Sequence, residues 1–114
     1  MIKIKRVYEP VDKNDGYRAL VDRLWPRGIK KEDTHIDLWL KEIAPSTILR
    51  KWFNHEPEKW DAFRKKYYAE LKGNIAVKEM KQVIKENAIT TLLYGAKNED
   101  YNHAIVLAEY LKGK

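Results

Sequence analysis

The segment VDRLWPRG, residues 21–28, sets a carboxylate (Asp22), two guanidinium groups (Arg23 and Arg27) and an indole (Trp25) on one short stretch closed by Pro26 and Gly28. Guanidinium groups in an exposed turn hold phosphate or carboxylate through paired N–H donors, and an indole beside them offers a stacking face. Further along, Tyr94, Lys97, Asn98, Asn102 and His103 follow an apolar run and precede a helical pattern. A cation next to the free N–H groups of a helix start is a physical recipe for binding an anion. Arg23, Trp25, Arg27, Tyr94, Lys97 and Asn102 are therefore the candidate ligand-binding residues. Asp22 and His103 are the candidate catalytic pair, since they are the groups there suited to proton transfer near neutral pH. The same residues also permit a plainer use, in which an Asp–Arg pair and a tryptophan pack a strand end and a histidine caps a helix.

These two groups meet only if two strands deliver them to one edge of a sheet. Alternation in IKIKRVY predicts a first strand with one solvated face. The near-continuous apolar run in YRALVDRLW predicts a second, covered on both faces and ended by Pro26 and Gly28. ITTLLYGA, β-branched and aliphatic up to Tyr94, is the strongest strand pattern in the chain. Residues 30–45 are ambiguous between strand and short helix and are read as an extended segment ended by Pro45. Ser46 is the N-cap of a short helix expected to bury Leu49, Trp52 and Phe53. A longer helix follows from Pro57 to Gly73, with Trp60, Phe63, Tyr67 and Leu71 on one face. IAVKEMKQVIKEN predicts a third helix, with Val77, Met80 and Ile84 as its stripe. NHAIVLAEYLK predicts the last, burying Ala104, Leu107, Ala108 and Leu111.

Strands separated by helices imply crossovers between parallel strands. The expected fold is α/β, one small domain spanning residues 1–114, with a mostly parallel central sheet flanked by helices in three layers. Ligands in open α/β sheets bind outside the carboxyl ends of the strands, where both candidate groups fall.

Composition narrows the function classes. A chain of 114 residues buries roughly two thirds of its unfolded surface, enough for one core. It has no cysteine, which removes disulfides, thiolate nucleophiles and sulfur-bound metals. No signal-like or membrane-spanning apolar run occurs, so a cytoplasmic protein with no membrane partner is expected. The net charge of +6 favours encounters with anionic partners without choosing among them. RKWFNHEPEKW interleaves basic and aromatic residues as a base-stacking surface does, but its helical spacing favours burial of the rings. His35, His55 and His103 make no recognised metal spacing, and no glycine-rich phosphate loop, Gly-x-Ser-x-Gly elbow or zinc-protease motif occurs. No metal and no cofactor is expected.

RVYEP, GYRALVDRLWPRGIKKE, DLWLKEIAPSTILRKWF, HEPEKWDAFRKKYYAEL and TLLYGAKNEDYNHAIVLAEYL together resemble the YeaO-like branch of the family catalogued as domain of unknown function 488. The resemblance covers nearly the whole chain, and implies a small cytoplasmic α/β protein without assigning it an activity. Longer relatives in that wider family carry a Cys-His-Arg triplet at the start of the final helix. Here Asn102-His103-Ala104 stands in its place, which favours binding over nucleophilic chemistry.

The expected function is binding of a small phosphate- or carboxylate-bearing ligand at the carboxyl ends of the strands, with catalysis left open. The alternative is a non-catalytic nucleic-acid or protein interaction module that uses the basic surface. Neither the identity of the ligand nor the oligomeric state follows from the sequence.

Overall fold

The structure, a computed structural model, describes residues 1–113, and of Asp33 and Thr34 only the backbone. Strands β1 (Ile2–Arg6), β2 (Tyr17–Leu20), β3 (Leu38–Trp39) and β4 (Thr90–Tyr94) form one all-parallel sheet in the order β1-β4-β2-β3. The most apolar strand takes the centre: every residue of β4 is buried, as a strand covered on both faces must be. It inserts between β1 and β2, with Leu92 level with Ile4 on one side and Ala19 on the other. The carboxyl ends of β2 and β4 are thus neighbours, as the candidate site requires.

Alternation of side chains divides the sheet into two faces. Ala19, Val21, Leu92 and Tyr94 share one core with Leu49 and Phe53 of α2 (Thr47–Phe53), Phe63 and Tyr67 of α3 (Trp60–Lys72), Met80 of α4 (Ala76–Glu86) and Leu107 of α5 (His103–Leu111). Leu20, Leu93 and Val7 face the other way and pack against Trp25, Ile36 and Trp39. The three layers are therefore a thick helical layer, the sheet, and a thin cover that includes the single turn α1 (Lys31–Thr34). On that thin side Asp15, ending a 3₁₀ turn, bonds the Arg18 guanidinium and lies 3.0 Å from Lys5 Nζ. The alternating basic face of β1 is thus only partly solvated.

Three local expectations change. The second strand ends at Leu20, short of the full YRALVDRLW run. Val21 N–H still donates to Leu93 O at 3.0 Å, but beyond it the Asp22 side chain takes over the pairing with β4. Residues 30–45 are not one extended segment: they hold α1, the two-residue β3 and a 3₁₀ turn at Lys41–Ile43. In α2, Leu49 and Phe53 are buried as expected, but Trp52 is 36% exposed. Its ring instead lies 5.0 Å from Lys59 Nζ and 4.9 Å from Lys66 Nζ, an exposed cation–π arrangement.

Candidate functional site

The ends of β2 and β4 are joined by side-chain chemistry. Gly95 N–H donates to Asp22 Oδ2 at 2.7 Å, and Asp22 Oδ1 stands 3.2 Å from His103 Nε2. His103 Nε2 is also 2.9 Å from the Val21 carbonyl. Both neighbours accept only, so Nε2 carries the hydrogen and directs it at Val21 O. Asp22 Oδ1 is consequently sealed from solvent with an electrostatic contact but no well-directed hydrogen bond. The first residue of α5 is held against the strand ends in this way.

Asn102 is the N-cap of α5. Its Oδ1 accepts from Ile105 N–H at 3.1 Å and its Nδ2 donates to Asn98 O at 3.0 Å, the local bonding that starts a helix at this point. The N–H groups of His103 and Ala104 lie in the first turn of α5, where helix termini carry partial positive charge and the Asn102 cap takes the Ile105 N–H.

Arg23 is fixed from another direction. Its Nε and Nη2 donate to the carbonyls of Pro45 (3.3 Å) and Ala44 (3.0 Å), just ahead of α2. A cavity of about 430 Å³ opens between this arginine, the start of α5 and the end of α2. Asp22, Arg23, Asn102 and His103 line it, together with Arg50, Lys51, Asn54 and His55 from α2 and the turn after it. Among the described residues, no carboxylate lies within ion-pair distance of Arg23, Arg50 or Lys51.

The far wall is built on strained backbone. Asn54 and His55 hold φ of 47° and 55°, two consecutive left-handed residues directly after α2. Asn tolerates that conformation, whereas for a larger side chain it costs about 1 kcal/mol and persists only where the surroundings impose it.

The cavity brings four of the eight predicted site residues together, namely Asp22, Arg23, Asn102 and His103, and the other four lie elsewhere. Trp25 donates its indole N–H to Ile29 O at 2.7 Å and packs edge-on against Trp39, in the thin layer. Arg27 is exposed, its carbonyl accepting from the Tyr8 hydroxyl at 3.0 Å. Tyr94 belongs to the helix-side core, and burial, with Glu99 and Glu9 adding, pushes its hydroxyl pKa up. Lys97 is exposed and does not line the cavity. Arg50, Lys51, Asn54 and His55 were not among the predicted site residues. Their signal was the interleaving of basic and aromatic residues in RKWFNHEPEKW, set aside because helical spacing favours burial of the rings.

Among the described residues no serine, threonine or cysteine lines the cavity, so none of those offers the Asp22–His103 pair a hydroxyl or thiol to activate. Among the described residues no cluster of three His, Cys, Asp or Glu is placed to hold a metal ion, and no helix is long and apolar enough to cross a membrane.

A family model described as the inactive DUF488-N3 subclade matches residues 1–114. The chain belongs to that subclade. It is 52% identical over 112 residues to the uncharacterized protein YeaO of Escherichia coli (strain K12), which covers 97% of this chain and 96% of YeaO. It is 39% identical over 113 residues to the uncharacterized proteins Rv3073c of Mycobacterium tuberculosis (strain ATCC 25618 / H37Rv) and Mb3100c of Mycobacterium bovis, covering 99% of this chain and 95% of each. No solved structure matches it. The full-length match to the DUF488-N3 model agrees with the resemblance read from the sequence, and Asn102 and Ala104 flank His103 in this member of the subclade.

Proposed function

We propose that this DUF488-N3 protein is a non-catalytic cytoplasmic binding protein for a small anionic metabolite, held in the cavity at the carboxyl ends of β2 and β4. The observation that carries this reading is the set of three cations, Arg23, Arg50 and Lys51, around one cavity with no ion-paired carboxylate among the described residues. A surface arginine or lysine is commonly solvated and alone. Three lining one cavity beside the first turn of a helix are arranged as an anion site is.

In this reading Arg23 is the fixed anchor, because its remaining donors are aimed by its two carbonyl bonds. Arg50 and Lys51 close over the ligand from the rim. Asp22 and His103 act as positioning residues: they hold the α5 N-terminus against the sheet so that its free N–H groups face the anion. The Nε2 hydrogen of His103 is committed to Val21 O, and no serine, threonine or cysteine among the described residues stands by as a nucleophile. The description of the subclade as inactive fits a site that binds and does not turn over.

A thermal-shift series against phosphorylated metabolites and small carboxylic acids tests the reading. A ligand at about 100 times its Kd stabilises by about 2.7 kcal/mol, a shift of several degrees. The competing reading is an interaction module acting through the +6 surface, and its best-formed feature is the exposed Trp52 beside Lys59 and Lys66. That reading predicts affinity for generic oligonucleotides that collapses as salt rises.

A further inference from the structure

Resting on the anion-binding reading above, we propose that the occupant of the cavity is a phosphate monoester carrying a planar aromatic or heteroaromatic ring, the chemistry of a nucleoside monophosphate. Three features of the cavity point the same way. Among the described residues lining the cavity, Arg23, Arg50 and Lys51 stand with one carboxylate, Asp22, a surplus of two positive charges. That surplus matches a phosphate monoester near its dianionic form and exceeds what a monocarboxylate needs.

The volume of about 430 Å³ lies in the range of organic-ligand sites and leaves most of the space empty around an inorganic phosphate. Beside Leu24, Ala44, Pro45, Gly95 and Ala96, the remaining wall carries the partly or fully exposed rings of Tyr101 and His55, backed by the edges of the buried Phe53 and Phe63. Phe53 and Phe63 are stacked with centroids 4.5 Å apart, and Tyr101 is braced edge-on by Trp60 at 5.3 Å. Rings held by other rings are a preorganised wall and lose little freedom when a flat ligand docks.

A bare sugar phosphate leaves the rings of Tyr101 and His55 uncovered, whereas the base of a nucleoside monophosphate can lie against them.

Isothermal titration of the full chain with adenosine 5′-monophosphate, phenyl phosphate, ribose 5-phosphate and inorganic phosphate tests the proposal. The two ring-bearing esters are expected to bind at least about tenfold more tightly than ribose 5-phosphate. Tyr101→Leu, at a partly exposed position, and Phe53→Leu should each narrow that gap severalfold and leave ribose 5-phosphate unchanged. If Phe53→Leu does not fold, Tyr101→Leu alone decides. Ribose 5-phosphate binding as well as the ring-bearing esters, or a gap that survives the ring substitutions, overturns the ring and leaves the anion site standing. No binding by any of the four compounds overturns both.

Discussion

Asp22 Oδ2 accepts the Gly95 N–H at 2.7 Å, and through this bond the carboxyl end of β2 is tied to that of β4 at the point where both strands leave the sheet. Gly95 has no Cβ, and one built there would stand 3.0 Å from that same oxygen. The closeness of the two residues is what lets Oδ1 reach His103 and fix the start of α5.

Asp22→Ala is expected to cost about 1–3 kcal/mol, because it leaves the Gly95 N–H without its acceptor and removes the carboxylate beside the His103 ring in a half-buried place. Urea unfolding measures it. Gly95→Ala should give a smaller loss of the same kind, as the carboxylate gives way to the methyl group. A loss below about 0.5 kcal/mol for Asp22→Ala would show that the tie carries no structural weight.

Arg23 and the rim cations should separate in two different assays. Arg23→Ala removes two donors from the carbonyls of Ala44 and Pro45 and should cost about 1–2 kcal/mol in addition to binding. Arg50→Ala and Lys51→Ala touch no structural partner and should stay within about 0.5 kcal/mol while weakening phosphate binding. Arg23→Lys should not restore wild-type stability, since one ammonium cannot span both carbonyls as a planar guanidinium does. Melting curves and titrations on the same four proteins check this.

The buried cluster on the thin side predicts the acid limit of the fold. Burial alone would raise the Asp15 carboxyl, but the Asp12 backbone N–H, Lys5 and Arg18 outweigh it and hold the pKa below its ordinary value of 3.8. A carboxyl depressed in the folded state adds stability that is present above the unfolded pKa and is lost as pH falls through the folded one. Stability from this group should therefore be flat from neutral pH to about 5 and decline below about 4. Asp15→Asn should be destabilised at pH 7, having taken the negative charge away from Lys5 and Arg18, and should decline less in acid. Equilibrium unfolding between pH 7 and pH 3 gives both curves; parallel curves would assign the acid sensitivity elsewhere.

Gly16 turns the chain from the Asp15 turn into β2 with φ of 65°, and a Cβ there would lie 2.3 Å from the Ile89 carbonyl oxygen. Because that oxygen also accepts Tyr17 N–H at 2.9 Å, it cannot retreat without opening the sheet. Gly16→Ala combines backbone strain with a clash against the main chain, and a loss of more than about 2 kcal/mol is expected in chemical denaturation.

The parts of this architecture with strong periodic patterns were legible in the sequence. The Thr90–Tyr94 strand, the stripe Phe63, Tyr67 and Leu71, and the Ser46 cap all stand where pattern and capping chemistry put them. Residues 30–45 were not, because their alternation serves only a two-residue edge strand between two short turns. Trp25 and Tyr94 were expected beside a ligand, yet one satisfies its indole N–H four residues away and the other shares the parity of Leu92, which points into the helix-side core. Arg50, Lys51, Phe53, Asn54 and His55 of the cavity wall come from α2 and the turn after it, far from either strand end in sequence, so neither cluster alone could announce them. Trp52 shows the limit of spacing arguments: three residues after Leu49 in a helix at the surface, it turns outward to two lysines.

The central claim is that an anion occupies the cavity at the ends of β2 and β4, and amide chemical-shift mapping by NMR tests it most directly. On titration with a phosphate monoester, the account predicts saturable shifts confined to Arg23, Asn54, His55, Gly95 and His103, and their loss in an Arg50→Ala/Lys51→Ala variant. Shifts spread along the exposed lysines of α3, such as Lys65 and Lys66, or no shifts at millimolar ligand, would contradict it.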